Sequence, residues 1–293
     1  MDDLKEKKIL VLGGNGMAGH TISLYLKEAG FCVTTYGHRG DVDLVGDARD
    51  FNALKKIVVS GAYDVVINAI GLLNQNAENN LADAIALNSY LPHFLSKILK
   101  DSTTKIIHMS TDCVFSGEKG GYSECSIPDG TTFYDRTKAL GELNNARDLT
   151  FRNSIIGPDI NPEGLGLFNW FMKQKNEIKG YTQAIWTGVT TLTLAKAMEQ
   201  AIHEDLCGLY HLVNNDKISK FELLRLFNHY FKDNKLTITP TASVICDKSL
   251  INNRNDFTFV VPSYETMIKE MKEWIGAHEE IYPDYFFNEY LEV

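Results

Sequence analysis

The sequence predicts an α/β protein built on a doubly wound parallel sheet, with a smaller C-terminal lobe. Three observations predict it. Short, continuously apolar runs recur through the first half, helical stretches separate them, and the first run ends in a glycine cluster. Strands covered on both faces read as unbroken apolar runs, and their alternation with helices calls for parallel pairing through crossovers.

The elements follow in order. Residues 9–12 form the first strand, and 17–29 a helix stopped by Gly30. Residues 31–36, 64–69 and 105–110 read as further strands, with a helix over 81–100 between the last two. A helix is expected over 134–147, then a strand over 150–156 broken by Gly157-Pro158. Residues 191–203 and 217–230 have helical spacing, and 209–213 reads as a strand able to rejoin the sheet. From about 262 a last helix leads to an aromatic end with Tyr282, Tyr285, Phe286, Phe287 and Tyr290.

Composition narrows the function. A chain of 293 residues with 44% hydrophobic and 23% charged content is an ordinary globular protein with room for one large or two modest domains. Its net charge of -9 argues against nucleic acid and anionic membranes as partners, though backbone amides could still bind a phosphorylated small molecule. No signal-like or membrane-spanning run stands out. The cysteines (Cys32, Cys113, Cys125, Cys207, Cys246) are scattered, which indicates no metal site or disulfide framework and fits a reducing cytoplasm.

The chemistry-bearing residues lie at the ends of the predicted strands. Gly13-Gly14-Asn15-Gly16-Met17-Ala18-Gly19 joins the first strand to the first helix. Glycines admit a pyrophosphate to the backbone, and the helix N-terminus supplies amides and a positive dipole. The second strand ends in Tyr36-Gly37-His38-Arg39 without a carboxylate for ribose hydroxyls. His38 and Arg39 therefore point to a 2′-phosphate and NADPH, while Asp41 and Asp43 keep NADH in play. Asn68-Ala69-Ile70-Gly71 ends another strand beside the expected cofactor, and Asn88 in the next helix is a candidate for the proton-relay region.

Thr111 offers a hydroxyl after the fourth strand. Tyr134 and Lys138 stand four apart on one helix face. A neighbouring ammonium lowers a phenol's pKa, so the pair is expected to exchange a proton near neutrality.

Together these residues resemble the extended short-chain dehydrogenase/reductase family, and within it the dTDP-4-dehydrorhamnose reductases and related nucleotide-sugar 4-ketoreductases. The resemblance rests on the glycine loop, Asn68-Ala69, Asn88 with Pro92, residues 110–117, Tyr122-Ser123-Glu124, residues 134–142 and Arg152-Asn153-Ser154. It implies a Rossmann-type cofactor domain over 1–155, completed by about 184–215, and a substrate-binding domain from 156–183 and 216–293.

It also implies reduction of the 4-keto group of a nucleotide-linked 4-keto-6-deoxy sugar in polysaccharide precursor synthesis. Tyr134 would protonate the alkoxide, Lys138 would tune Tyr134 and bind the nicotinamide ribose, and Thr111 would hold the ketone oxygen. Asp47 and Ala48 match the adenine contacts. Asp112, Cys113, Asn153 and Trp186 fall on the substrate side, with Arg152, Lys173 and Lys175 as candidate cations for the diphosphate. A homodimer is compatible with the resemblance.

Departures from the family pattern matter. Gly130 and Asp135 stand where Pro and Gly are usual around the tyrosine. Cys113 occupies the place of an epimerisation base in 3,5-epimerase/4-reductases, so a bifunctional enzyme is an alternative, with Lys173 the approximate partner acid. A non-catalytic regulatory subunit, the role of the methionine adenosyltransferase beta subunit, is another.

Overall fold

A computed structural model describes residues 6–286; Phe287 and Tyr290 of the aromatic end lie outside them. The first half runs β1 (Lys8–Leu12), α1 (Met17–Glu28), β2 (Cys32–Gly37), β3 (Leu44–Val45), α2 (Phe51–Ser60) and β4 (Val65–Asn68). It continues with α3 (Asn74–Asn79), α4 (Leu81–Ala84), a π-helical turn (Ile85–Tyr90), α5 (Leu91–Ile98), β5 (Lys105–Met109) and α6 (Phe133–Leu140). The second half holds β6 (Leu149–Arg152), β7 (Ser154–Ile156), α7 (Leu167–Met172), β8 (Glu177–Trp186), β9 (Gly188–Thr190) and α8 (Thr191–His203). Last come β10 (Gly208–His211), β11 (Ile218–Ser219), α9 (Lys220–Lys232), β12 (Thr237–Asp247) and α10 (Tyr264–Ala277).

The central sheet has 7 strands in the order β10-β6-β5-β4-β1-β2-β3, and every pair is parallel. Its order reverses between β1 and β4, which opens the crevice where such sheets bind ligands. One face carries Ile9, Val11, Ile67 and Ile107 against α1 and α8, in a core that runs on into α7, α9 and α10. The other carries Leu10, Leu12, Val66 and Ile106 against α2 and α5. Continuous burial on alternating faces is the physical reason these strands read as unbroken apolar runs.

Three expectations need correction. The helix over 134–147 stops at Leu140, because Thr150 clips the following turn, accepting from Leu143 N at 2.9 Å and donating to Leu143 O at 2.8 Å. The strand over 150–156 divides at buried Asn153: β6 lies in the central sheet, whereas β7 pairs with β9. The helix over 81–100 is interrupted by the π-helical turn at Asn88, a distortion that often marks functional positions.

β12 is absent from the sequence reading. It runs parallel to β8 with a register shift between Thr241 and Ile245, and its mostly exposed residues and Pro240 give no apolar run to read.

Candidate active site

The glycine loop is built to be approached. Gly13 has φ +85°, a conformation that only glycine adopts freely, and a Cβ there would stand 3.1 Å from the Ala69 backbone. The amides of Gly13 and Gly14 donate to Tyr36 O at 2.8 and 3.0 Å, tying the loop to β2. A Cβ on Gly19 would stand 2.0 Å from Gly13 O, so the helix closes directly on the loop. The N-cap Gly16 supplies no side-chain cap to α1, which leaves the first-turn amides at Met17 and Ala18 open to an anion.

A cleft of about 270 Å³ opens beside this loop, lined among others by Asn15, His38, Asp47, Ala48, Ile70 and Arg49. Asn15 reaches across it and donates to Arg39 O at 2.5 Å. Arg39 and His38 stand exposed at the rim. Asp43 is turned away, since it accepts from both the amide and the hydroxyl of Thr35 at 2.7 Å. The sequence reading missed Arg49, which bonds Asp47 and Asp83 and holds the Asp47 carboxyl down at about 2. Its only sequence signal is adjacency to Asp47-Ala48.

At the end of β4, Asn68 pairs with His108 at 3.2 Å and accepts from Ile70 N, fixing the turn through Ala69. Asn88 is sealed in the interior, where it clamps Leu72 by accepting from its N at 2.8 Å and donating to its O at 2.9 Å. Its second donor bond goes to Thr137 on α6 at 3.1 Å. Asn88 thus joins the β4 loop to the helix that carries Tyr134. The side of Gly71 opens towards Lys138: a Cβ there would meet Lys138 Nζ at 3.9 Å.

Asp135 explains one departure from the family pattern. With Thr132 it forms a reciprocal capping box at the start of α6, satisfying two otherwise orphaned amides just where Tyr134 enters. Gly130 explains the other, because a Cβ there would stand 2.8 Å from Cys113 O and 2.5 Å from Asp135 Cβ.

Tyr134 and Lys138 are both buried, and Lys138 Nζ donates to Met109 O at 2.6 Å. Burial holds the ammonium down at about 8, with Glu142 opposing. Burial also pushes the Tyr134 phenol up, the Cys113 thiol beside it adds to the rise, and the Thr111 hydroxyl opposes it. The expected net lowering of the Tyr134 phenol is therefore corrected: it stands above its ordinary range. The ammonium is drawn to a strand carbonyl, and desolvation of the phenol outweighs every neighbouring charge. Thr111 caps the turn Asp112–Val114, accepting from Cys113 N at 3.1 Å, and its hydroxyl donates to Asp112 at 3.2 Å.

On the substrate side, Asp112 is buried and Cys113 half-buried, and burial pushes the Cys113 thiol up to about 12. Asn153 is buried with its Oδ1 unpartnered among the described residues. Trp186 is corrected: only 2% of it is exposed, and with Tyr264 and Lys220 packed on it the ring offers no open stacking platform. Arg152 is corrected too. It is buried in an ion pair with Glu142 and against His211, so it is no diphosphate grip. Lys173 is exposed and bonded to Pro162 O, and Lys175 is exposed.

Two cations that the sequence reading missed, Lys220 and Lys248, sit within electrostatic reach of Asp112 and Cys113. Among the described residues no group of three or more His, Cys, Asp or Glu could hold a metal, and no helix is long and apolar enough to cross a membrane.

Comparison with known proteins gives a consistent picture. The RmlD substrate binding domain family matches residues 7–248. A dTDP-4-dehydrorhamnose reductase of Streptomyces griseus is 33% identical over 135 residues, which cover 45% of this chain and 43% of that enzyme; the chain thus spans under half the length of this relative. The methionine adenosyltransferase 2 subunit beta of Bos taurus is 21% identical over 241 residues, 75% of this chain and 71% of that protein. Among solved structures, a dTDP-4-dehydrorhamnose reductase from Bacillus anthracis in complex with NADP superposes with a TM-score of 0.79 at 20% identity, covering 91% of this chain and 98% of that one. At that identity the likeness establishes the fold.

Proposed function

The chain belongs to the RmlD substrate-binding-domain family, and from that premise we propose that it is an NAD(P)H-dependent reductase acting on the 4-keto group of a nucleotide-linked 4-keto-6-deoxy sugar. The observation that carries the reading is Tyr134. Its phenol is buried, kept protonated, touched by Thr111, and mounted on the helix whose Lys138 faces the cofactor-side turn at Gly71.

The residues present fit a dinucleotide. Added Cβ atoms at Gly13, Gly14 and Gly19 would run into Ala69, Thr35 and Gly13 O, so glycines let the loop fold this tightly, and the open amides of Met17 and Ala18 suit a pyrophosphate. Asp47, Ala48 and Ile70 would border the adenine end, and His38 and Arg39, with Asp43 turned away to Thr35, suit a 2′-phosphate. NADPH is thus favoured, with NADH the weaker option. A bound nicotinamide supplies the hydride chemistry.

The chain's own residues supply orientation and the proton. Thr111 and Tyr134 hold the ketone oxygen between two hydroxyls. As that oxygen gains charge, the Tyr134 proton moves to it, and the resulting phenolate is stabilised by the nearby Lys138 ammonium. Burial of the phenol suits this direction of transfer, since a protonated donor is needed at neutral pH.

The sign of the pH dependence follows from Lys138. Its ammonium is present below about pH 8 and lost above it. The reductive kcat/KM is therefore expected to fall as pH rises through about 8. A profile level well past that point would remove the Lys138 charge from the mechanism.

The direct test is NADPH oxidation with dTDP-, UDP- and GDP-linked 4-keto-6-deoxy sugars, run in deuterated water. Reduction is expected with at least one. No deuterium is expected at C3 or C5, because a thiol at about 12 provides no base at neutral pH. Incorporation that vanishes in Cys113→Ser would establish the epimerase/reductase instead. No oxidation with any sugar, together with co-purification of a larger enzyme, would favour a regulatory subunit.

A further inference from the structure

Lys220 and Lys248 are cations that the proton-delivery site does not use. Lys220 opens α9, and Lys248 directly follows β12. Both are partly buried, and among the described residues neither ammonium has a carboxylate within 4.0 Å, whereas nearby Lys217 is paired with Asp247 at 3.1 Å. A partly buried charge without a partner is costly. Lys220 carries a second penalty, because the first position of a helix is the positive end of its dipole.

Two anchors aim these side chains. Lys220 Nζ lies 5.5 Å above the Trp186 ring. The stem of Lys248 is pressed against Gly117, where an added Cβ would stand 2.9 Å from Lys248 Cγ. Gly117 belongs to the loop that leaves the Asp112–Val114 turn, which puts Lys248 beside the turn that presents Thr111, and Lys220 lies within electrostatic reach of Asp112 and Cys113 of that same turn. Asp112 answers them poorly: it is buried, hydrogen-bonded by Thr111, and more than 4.0 Å from either ammonium.

We propose that Lys220 and Lys248 form the site that holds the diphosphate of a nucleotide-linked substrate and so sets the distance of its sugar from Tyr134. This rests on the reductase reading for the identity of the substrate. A sugar ring separates a 4-keto oxygen from the anomeric phosphate by little more than its own width. Cations beside Cys113 can therefore reach the phosphate while the ketone meets Thr111 and Tyr134. A diphosphate supplies charge for both ammoniums, which approach from separate elements; a lone carboxylate does not.

The test is calorimetric titration of the full chain with UDP, dTDP and GDP and with their parent nucleosides. At least one nucleotide is expected to bind tenfold or more tightly than its nucleoside, a gap of about 1.4 kcal/mol. That gap is expected to shrink about tenfold in Lys220→Gln and in Lys248→Gln, and to persist largely in Lys220→Arg, with NADPH affinity unchanged throughout. Added salt should narrow it in the unmodified protein.

A gap that survives in both glutamine variants overturns the proposal. So does an equal loss for nucleoside and nucleotide, which would mean general disruption. The lysine-dependent gap without NADPH oxidation on any keto sugar would sustain this site and sink the reductase reading. Turnover with a gap indifferent to both lysines would do the reverse.

Discussion

Replacing Tyr134 with Phe is expected to lower NADPH-dependent reduction of a nucleotide-linked 4-keto sugar by about 100-fold to 10,000-fold, the usual worth of a positioned general acid. The ring fills the same space, so Ala77, Ala84 and the other apolar neighbours keep their packing. What disappears is a hydroxyl that is buried, protonated and beside Thr111. The loss should fall on kcat, because the proton is delivered only as charge develops. NADPH binding should persist, since the glycine loop and the β2 rim are untouched. Stopped-flow turnover alongside NADPH fluorescence titration separates the two. A variant with full turnover would mean that another group delivers the proton; one that also loses NADPH would mean that Tyr134 is structural.

The second large effect belongs to Gly141, which caps the end of α6. A Cβ on Gly141 would stand 1.9 Å from Asn88 O and 3.0 Å from Asn88 C. Both are backbone atoms of the π-helical turn, so no side chain can swing aside. Gly141→Ala must push α6 off that turn, and α6 carries Tyr134 and Lys138. A loss of about 3 kcal/mol in stability is expected from the overpacking. Turnover should fall by about 100-fold, since an ångström of misplacement costs about that much. Gly276→Ala on α10 is the control: nothing lies within 4 Å of its added Cβ, and exchanging a helical glycine should stabilise by about 0.5–1 kcal/mol. Urea midpoints and kcat for both variants provide the check. Unchanged turnover in Gly141→Ala would show that the contact between α6 and the π-helical turn does not position Tyr134.

The legible parts of this protein are those whose physics is local. The glycine loop declares itself because tight packing against Gly13 O and an open helix N-terminus both require small residues within one short stretch. Tyr134 and Lys138 declare themselves because helical spacing alone brings them to one face. The strands of the first half are readable because burial on both faces leaves unbroken apolar runs. Asn88 could be singled out, but its work as a clamp on Leu72 and Thr137 depends on a π-helical turn that no periodicity reports.

The substrate side resisted reading for the opposite reason. Arg152 looked like a phosphate grip until Glu142, ten residues earlier, was seen to bury it. Trp186 looked like a platform, yet Tyr264 and Lys220 close over it from distant segments. Lys220 and Lys248 carry no motif at all.

The sequence by itself thus determined the sheet, the glycine loop and the pairing of Tyr134 with Lys138 on one helix face, since each rests on spacing within a single element or turn. Only the tertiary structure decided which charges stay free and which way the buried groups shift. Desolvation and pairing depend on what the rest of the chain packs around a residue: they raised the Tyr134 phenol, lowered the Lys138 ammonium, spent Arg152 on Glu142 and left Lys220 and Lys248 without a carboxylate within 4.0 Å among the described residues.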